Sequence, residues 1–358
     1  MIEKLQGAGA EVADKLHIWP QLYEALGSRE AIADFLNCDI EEVPPEPPSH
    51  LSTLQMAQEL ESAQDFTSEF PEAPPDLDPQ AAEILEAVQK LQAAQFKYRL
   101  EVESATVDIY ETKPFAVCFP GDFHIGSAGT IHASVMALMQ LIHDVDGLYC
   151  IINGDIINNY ISKTYDEERH SQPIGPGIQK DIARALMEWI APKCLALTAG
   201  QHEYWSVRQD DFDAGKYFAK HAEAAYLGPG GEVILECEST TYMFGVWHRY
   251  RGSSIYDPLA AAKRCYWDHG ASRWDVTAVA DLHEPAIAKQ IMHRQERVFV
   301  RCGTAKLIDA YAKKLGYTSQ RFYIPIVVLD PYTRKLEVFL KLSTALGFLQ
   351  YLRMGGKW

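Results

Sequence analysis

After residue 113 the chain is a succession of apolar runs of strand length, and this pattern restricts the fold more than any other feature. The runs are FAVCF, LYCII, KCLAL, EVILEC, TYMFGVW, VTAVA, RVFVRC, FYIPIVVL and KLEVFL. The earlier runs alternate with the helical runs IHASVMALMQLIHDV, GIQKDIARALMEWIA and DPLAAAKRCYW, whereas the last strands follow one another closely. This alternation predicts an α/β fold with a mixed sheet, or two packed sheets, between layers of helices.

The first hundred residues have a different organisation. Residues 1–43 predict a small helical unit, in which Ser28 is a plausible N-cap. The stretch ALGSREAIADFLN resembles two helices of a helix-turn-helix unit, but the acidic, proline-ended CDIEEVPPEPP that follows is unsuited to facing phosphates. A docking or oligomerisation element is therefore favoured. The composition of residues 44–78 predicts a Pro-rich, acidic linker. Residues 79–100 are predicted to form an amphipathic helix, which begins a domain that extends to residue 358.

Charge and cysteine usage restrict the compartment and the partners. The net charge is −16, but residues 1–100 carry 19 acidic and 6 basic side chains, whereas residues 286–358 carry 13 basic and 4 acidic ones. A basic C-terminal part can attract a phosphate-bearing substrate, although a solvated lysine-rich face explains it as well. Seven cysteines without CxxC spacing lie mostly in apolar runs, which predicts reduced thiols in a cytoplasmic protein. No run predicts a membrane span or a signal peptide.

Polar clusters stand at the ends of five of the apolar runs. Each of these carboxylates and imidazoles alone has an ordinary structural explanation, as a turn former, a helix cap or a hydrogen-bonded core histidine. Five in succession indicate a metal site, and Asp and His without Cys suit Mn²⁺, Fe or Zn²⁺ in a catalytic centre. The clusters contain Asp122 and His124 (FPGDFHIGS), Asp155 (IINGDIINN), His202 (LTAGQHEYW), His248 (TYMFGVWH), and Asp281 and His283 (AVADLHEPA).

The order of these clusters resembles that of the calcineurin-like metallophosphoesterase superfamily, over roughly residues 113–310. The segment RCGTAKLIDAYAKKLGY further resembles phage-type and prophage-type members, which implies the cytoplasm of a host cell if the protein is phage-encoded. The resemblance implies a layered α-β-β-α fold, two packed mixed sheets flanked by helices, with a dinuclear centre. Mn²⁺ is the favoured ion, with Fe, Zn²⁺ and Mg²⁺ as alternatives.

The resemblance also implies a role for each position. Asp122, His124, Asp155 and His283 surround a first metal, and Asp155, Gln201, His248 and Asp281 surround a second. His202 is the general acid or the stabiliser of the leaving oxygen, and an attacking water lies between the two cations. Arg249 and Arg251, in WHRYRGSS, hold phosphate oxygens because a guanidinium fork matches them.

Three positions depart from the family pattern. Gln201 replaces the usual Asn, Asp281 replaces a His, and Asn158 replaces an acidic residue that orients the catalytic His. All three departures lie near the second metal, and they leave the first metal's ligands untouched.

Three functions follow from this reading. The first is a metal-dependent nuclease, which hydrolyses phosphodiesters of nucleic acid. The second is a small-molecule phosphoesterase for cyclic nucleotides or phosphomonoesters. The third is a catalytically degenerate binding module. A protein phosphatase is disfavoured because GDIINNY lacks the GDxxDRG signature. The acidic first hundred residues would repel DNA. Two alternatives are that they shield the active site or that residues 1–78 provide a surface for a protein partner or for oligomerisation.

Overall fold

The computed structural model describes residues 28–39, 41, 43, 80, 83–84, 87–88, 90, 103–161, 169–170, 172–270, 273–307 and 322–358. The chain divides into two compact units, residues 1–98 and residues 99–358. The predicted linker over residues 44–78 and residues 308–317 of the phage-type segment lie outside the described residues. The predicted domain boundaries therefore stay predictions.

In the first unit, helix α1 spans Arg29–Leu36. The predicted N-cap is confirmed, because the Ser28 hydroxyl accepts a hydrogen bond from the Ala31 amide at 3.2 Å. The described residues between 80 and 90 are helical, in agreement with the predicted helix over residues 79–100.

The second unit contains two sheets of six described strands each. One sheet has the strand order β12-β11-β2-β3-β4-β5 and the other β1-β6-β7-β8-β10-β9. The strands are β1 (Ser104–Asp108), β2 (Phe115–Cys118), β3 (Leu148–Asn153), β4 (Cys194–Thr198), β5 (Ala225–Tyr226), β6 (Gly230–Glu236), β7 (Thr241–Trp247), β8 (Val276–Val279), β9 (Ala286–Met292), β10 (Gln295–Arg301), β11 (Ile326–Leu329) and β12 (Leu336–Phe339).

Six helices accompany these strands in the described part of the second unit. None of the helices described has the length and apolar composition that a bilayer crossing requires. The helices are α2 (His132–Asp144), α3 (Pro176–Ile190), α4 (Gln201–Asp210), α5 (Ala214–His221), α6 (Ala260–Cys265), which continues as a π-helix over Tyr266–Gly270, and α7 (Leu342–Arg353).

Three apolar clusters define the layers. The central cluster lies between the sheets and includes Val117 of β2 and Val246 of β7. A second cluster packs α2, α3, α5 and α7 on the outer face of the β2–β3–β4 sheet. A third packs α6 against the outer face of the β7–β8–β10 sheet. The predicted α-β-β-α layering with two mixed sheets is therefore confirmed.

Strand direction brings the polar clusters to one edge. β2, β3 and β4 are parallel neighbours in one sheet, and β7 and β8 are parallel neighbours in the other. The loops after these five strands contain the predicted site residues, and the carboxyl ends of parallel strands meet at the same edge of a sheet. This edge is where the candidate site lies.

Candidate metal centre

The predicted ligands leave their strands through left-handed turns. Asp122, His124, Asp155, Asp281 and His283 all have positive φ, between 47° and 71°. Asp and His tolerate this region better than most side chains, and such conformations concentrate at functional sites. The two Asp-x-His segments thus share one backbone form. In the first segment the turn brings His124 Nε2 to 3.9 Å from Asp122 Oδ1.

The loops that carry the ligands are joined through their backbones. The amide of Asp122 donates to the Gly154 carbonyl at 3.0 Å, and the amide of His124 donates to the Asp155 carbonyl at 3.0 Å. Ile125 and Ile157 form a further bridge between the same two loops. Thr304 donates its hydroxyl proton to the Asp122 carbonyl at 2.8 Å. The turns are therefore fixed by hydrogen bonds to one another.

Three ligand atoms of the first predicted set converge. His124 Nε2 lies 3.1 Å from His283 Nε2. Asp122 Oδ1 lies 3.4 Å from His283 Nε2 and 3.9 Å from His124 Nε2. Ligands of one ion, held at about 2.1 Å from it, are separated by roughly 3 to 4 Å. These three side chains therefore fit one divalent cation.

Asp155 lies at the middle of the centre. Its Oδ2 is 3.9 Å from His124 Nε2, 3.8 Å from His202 Nε2 and 3.4 Å from His248 Nε2. Its Oδ1 accepts a hydrogen bond from the His202 amide at 2.9 Å. One oxygen is thus fixed by backbone, and the other faces both predicted metal positions.

Asp122 is arranged in the same way as Asp155. Its Oδ2 accepts a hydrogen bond from the Asp281 amide at 3.2 Å. Its Oδ1 is buried and has no hydrogen-bond partner among the described residues. A buried carboxylate oxygen without a partner carries a large desolvation cost, which a coordinated cation would remove.

The Nδ1 atoms of two histidines are bonded to backbone carbonyls. His248 Nδ1 donates to the Asn153 carbonyl at 2.6 Å, and His202 Nδ1 donates to the Asn158 carbonyl at 2.5 Å. Such bonds fix each ring and direct its Nε2 toward the centre. His248 Nε2 is buried and has no other hydrogen-bond partner among the described residues. Asn158 thus orients His202 through its main chain.

The electrostatics of the protein alone suit cation binding at Asp155 and His124, whereas, against the effect of burial, Asp155 raises the pKa of His248 to about 10 and Asp122 raises that of His283. Although burial opposes ionisation, His202 and His248 hold the pKa of Asp155 well below its ordinary value. Burial, His202 and Lys306 hold the pKa of His124 well below its ordinary value. The carboxylate is therefore ionised and this imidazole is neutral, which are the forms that bind metals.

The remaining predicted residues border the centre. Asp281 Oδ1 lies 3.9 Å from His248 Nε2, and Asp281 Oδ2 lies 3.3 Å from Arg249 Nε. Gln201 is exposed on the first turn of α4 and lines a cavity of about 360 Å³ with His248 and Arg249. Its role as a ligand stays a prediction. Arg251 forms an ion pair with Asp268 at 2.9 Å, beyond the ligand cluster.

Glu203 belongs to the centre, although the sequence analysis assigned it no role. It is fully buried and accepts four backbone hydrogen bonds. Its Oε2 bonds the amides of Asp155 and Gly200, each at 2.8 Å, and its Oε1 bonds those of Ile156 at 2.9 Å and Ile157 at 3.3 Å. One carboxylate therefore fastens the turn of Asp155 to the start of α4. Burial and the Asp155 charge raise the pKa of Glu203 to about 7.

Lys306 is a second residue without an assigned role. It is 4% exposed, and its ammonium lies 5.6 Å from the ring centroid of Tyr160. That ring is 5.2 Å from the ring of His202. Its segment, RCGTAKLIDAYAKKLGY, gave a family resemblance but no role for this lysine, which an isolated antiparallel bridge pairs with Thr130. Lys306 adds a buried positive charge near the histidines.

Comparisons with known proteins find weak similarities. No family model matches the chain, and no curated protein matches it. Vacuolar protein sorting 29 of Cryptosporidium parvum shares 12% identity over 63% of this chain and 96% of its own, with a TM-score of 0.35. The calcineurin-like phosphoesterase YfkN of Bacillus subtilis shares 10% identity over 67% and 99%, with a TM-score of 0.35. The nuclease MPE of Pseudomonas putida shares 10% identity over 62% and 87%, with a TM-score of 0.29. Values of this size establish neither a family nor an activity.

Proposed function

We propose that this protein is a metal-dependent phosphoesterase of the calcineurin-like type, which hydrolyses phosphodiesters of nucleic acid. One observation carries the proposal, namely the position of Asp155 Oδ2 within 3.9 Å of Nε2 of three histidines. A carboxylate oxygen that faces several imidazoles at an open edge of the sheets has the chemistry of a shared ligand between two cations. An ordinary helix cap or core ion pair does not require such a set.

The donor set supports two cations, with Mn²⁺ favoured. Three combinations of side chains place their ligand atoms within 4.8 Å of one another: Asp122, His124 and His283; His124, Asp155 and His202; and Asp122, Asp155 and His248. Gln201 and Asp281 complete the second set. When bound, such cations polarise a phosphoryl group and acidify water.

The protein's own groups account for orientation and proton transfer. His202, held by the bond from Nδ1 to the Asn158 carbonyl, would act at the leaving oxygen, either as its general acid in the doubly protonated form of the ring or as its stabiliser. Arg249, whose side chain is 63% exposed beside Asp281, contacts the non-bridging oxygens of the phosphate. The buried charge of Lys306 adds to the same positive potential. Arg251 is placed farther out, in its ion pair with Asp268.

Nucleic acid is the substrate favoured by the charge distribution. The sequence of residues 286–358 is basic, with 13 Lys and Arg against 4 Asp and Glu, and basic segments attract phosphate backbones. A second candidate, a small nucleotide ester, is favoured by the cavity of about 360 Å³ beside His248, which has the size of a small-ligand site. Residues 1–78 remain proposed as a docking or oligomerisation element, and the cytoplasm, of a host cell for a phage-encoded protein, as the compartment.

The test compares hydrolysis of bis-p-nitrophenyl phosphate and of labelled single- and double-stranded DNA in Mn²⁺. His202→Ala is expected to lose both activities, and His143→Ala, at an exposed histidine of α2, is expected to keep them. If the diester is hydrolysed and the DNA stays intact, the result would contradict nucleic acid as the substrate and favour small nucleotides. No turnover on any ester, together with less than one bound metal per chain, would leave the binding module as the explanation.

A further inference from the structure

A cleft with aromatic and charged walls lies beside the metal centre. It has a volume of about 640 Å³ and is lined by Trp247, Arg249, Tyr250, Arg251, Asp268 and His269, together with Pro229. We call it the aromatic cleft. Its volume is within the range of small-ligand sites, and none of its residues belongs to the ligand set described above.

One wall of the aromatic cleft is a fixed stack of rings. The rings of Trp247 and His269 are nearly parallel, at 17° and 5.1 Å between centroids. Tyr250 lies edge-on to both, at 82° to Trp247 and 84° to His269. His269 is exposed, so the stack ends at a ring that is accessible to solvent. Flat rings in this arrangement offer a surface to another planar group.

The position of the stack is built into the sheet. Gly230 lies opposite Trp247 in the pairing of β6 with β7. A Cβ at Gly230 would come within 2.2 Å of the indole ring, so the indole occupies space that only glycine leaves free. On the other side, the π-helix Tyr266–Gly270 carries both Asp268 and His269. π-Helical turns are rare and often occur at functional sites.

The polar side of the cleft is equally fixed. Asp268 Oδ2 accepts a hydrogen bond from the Tyr250 hydroxyl at 3.0 Å, and it binds Arg251 through Nη2 at 2.9 Å and Nε at 3.3 Å. The Arg251 side chain nevertheless remains 72% exposed. A guanidinium held in one orientation at the rim of a ring stack suits an aromatic anion, because it contributes both charge and a planar face.

Arg249 connects the cleft with the centre. It lines the aromatic cleft and also the smaller cavity beside His248. Its Nε lies 3.3 Å from Asp281 Oδ2. A group bound in the aromatic cleft is thus separated from the ligand cluster by a single arginine. A phosphate at Arg249 would have its ester substituent directed into the cleft.

We propose that the aromatic cleft binds the nucleoside part of the substrate, with an unpaired base against His269 and Tyr250 and its phosphate at Arg249. The proposal rests on the proposed function, and it narrows the substrate to single-stranded nucleic acid or nucleotides. A base within a duplex is already paired and stacked, and only an unpaired base can lie against the rings.

The test uses two esters with the same p-nitrophenolate leaving group. Thymidine 5′-(p-nitrophenyl phosphate) carries a nucleoside, and methyl p-nitrophenyl phosphate carries a methyl group instead. The wild type is expected to prefer the thymidine ester in kcat/KM by about 10-fold or more, the order of magnitude of stacking one base. His269→Ala and Tyr250→Leu are expected to raise KM for the thymidine ester by a similar factor, with the methyl ester unaffected. His269→Phe is expected to restore the preference.

The matched control is His143→Ala. His143 also lies against an indole, that of Trp189, with 5.2 Å between the ring centroids, and it belongs to the helical layer on the other side of the two sheets. This variant is expected to change neither ester. Equal effects of His269→Ala on both esters, or none on either, would overturn the assignment. If the wild type hydrolyses neither ester, the proposed function has failed. Binding of labelled (dT)₄, measured by fluorescence polarisation, then tests the aromatic cleft as a base-binding site. Equal affinity of wild type and His269→Ala would overturn the assignment, and an affinity about 10-fold lower in His269→Ala would support it.

Discussion

A single added methyl group at Gly200 is expected to disable the metal centre without removing any functional group. Gly200 has φ −93°, a value that any residue adopts, so alanine meets no backbone strain there. Its Cβ, however, would lie 2.1 Å from Asp155 Oδ1 and 2.4 Å from the Asp155 amide nitrogen. Real Cβ contacts essentially never fall below 3.0 Å, so the turn of Asp155 must move.

The required shift sets the magnitude. Opening the contact with Oδ1 to an allowed distance moves Asp155 by roughly 1 Å, and a misplacement of this size costs about 100-fold in rate. The corresponding barrier increase is about 2.7 kcal/mol, and overpacking of this kind costs about 1 to 3 kcal/mol of stability. Gly200→Ala is therefore expected to fold with a lower Tm and to lose about 100-fold in kcat/KM.

The assay is Mn²⁺-dependent hydrolysis of bis-p-nitrophenyl phosphate, accompanied by thermal unfolding. Gly177→Ala is the matched control, because a Cβ at this position of α3 meets nothing within 4 Å. It is expected to retain activity and to be no less stable, since alanine is favoured over glycine in a helix. A folded Gly200→Ala protein with wild-type kcat/KM would refute the geometry described for Asp155.

Three further predictions concern buried groups. Glu203→Gln is expected to weaken Mn²⁺ binding about 10- to 100-fold in calorimetric titration. The reason is that the amide has one acceptor oxygen for the four backbone donors that the carboxylate now satisfies. Unchanged affinity would show that Glu203 does not support the centre. Lys306→Met is expected to lower kcat/KM for the diester about 100-fold through the loss of a charge near the phosphate, and a change of less than twofold would contradict that role. Burial raises the pKa of Cys302 to about 12, so little of its thiol is ionised at pH 8. Cys302 is therefore expected to react with DTNB only after the protein is unfolded in guanidinium. Rapid labelling of Cys302 in the native protein would contradict its burial.

Much of the fold could be predicted from hydrophobic pattern alone. All nine predicted strands and the three predicted helices of the second unit are present, because each buries a continuous or periodic apolar surface. Three strands were not predicted: β5, β9 and β1, the last of which is a five-residue edge strand with alternating partial burial. Helix α4 was missed for a different reason, since the side it buries is polar and includes His202, Glu203 and Ser206. No apolar periodicity marks such a helix.

The sequence predicted the ligands of the candidate site better than the backbone turns and buried residues that hold those ligands in place. The order of clusters after strands located Asp122, Asp155 and His283, because strand ends in parallel sheets meet at one edge. Neither the left-handed turns nor the backbone bonds to Glu203 leave a trace in spacing, since they depend on how separate loops pack. The same holds for Lys306, which reaches the centre only through the path of the chain after β10.

The measurement that tests the central claim most directly is a titration of Mn²⁺ into chelator-stripped protein during hydrolysis of bis-p-nitrophenyl phosphate, with wild type and Asp155→Asn in parallel. We expect no turnover without Mn²⁺ and, in the wild type, turnover that rises with Mn²⁺ until it saturates. Turnover of Asp155→Asn is expected to be lower by about 100-fold or more, because Asp155 Oδ2 is the oxygen that faces three histidines. Turnover that does not depend on Mn²⁺, or equal turnover in the variant, would contradict the account.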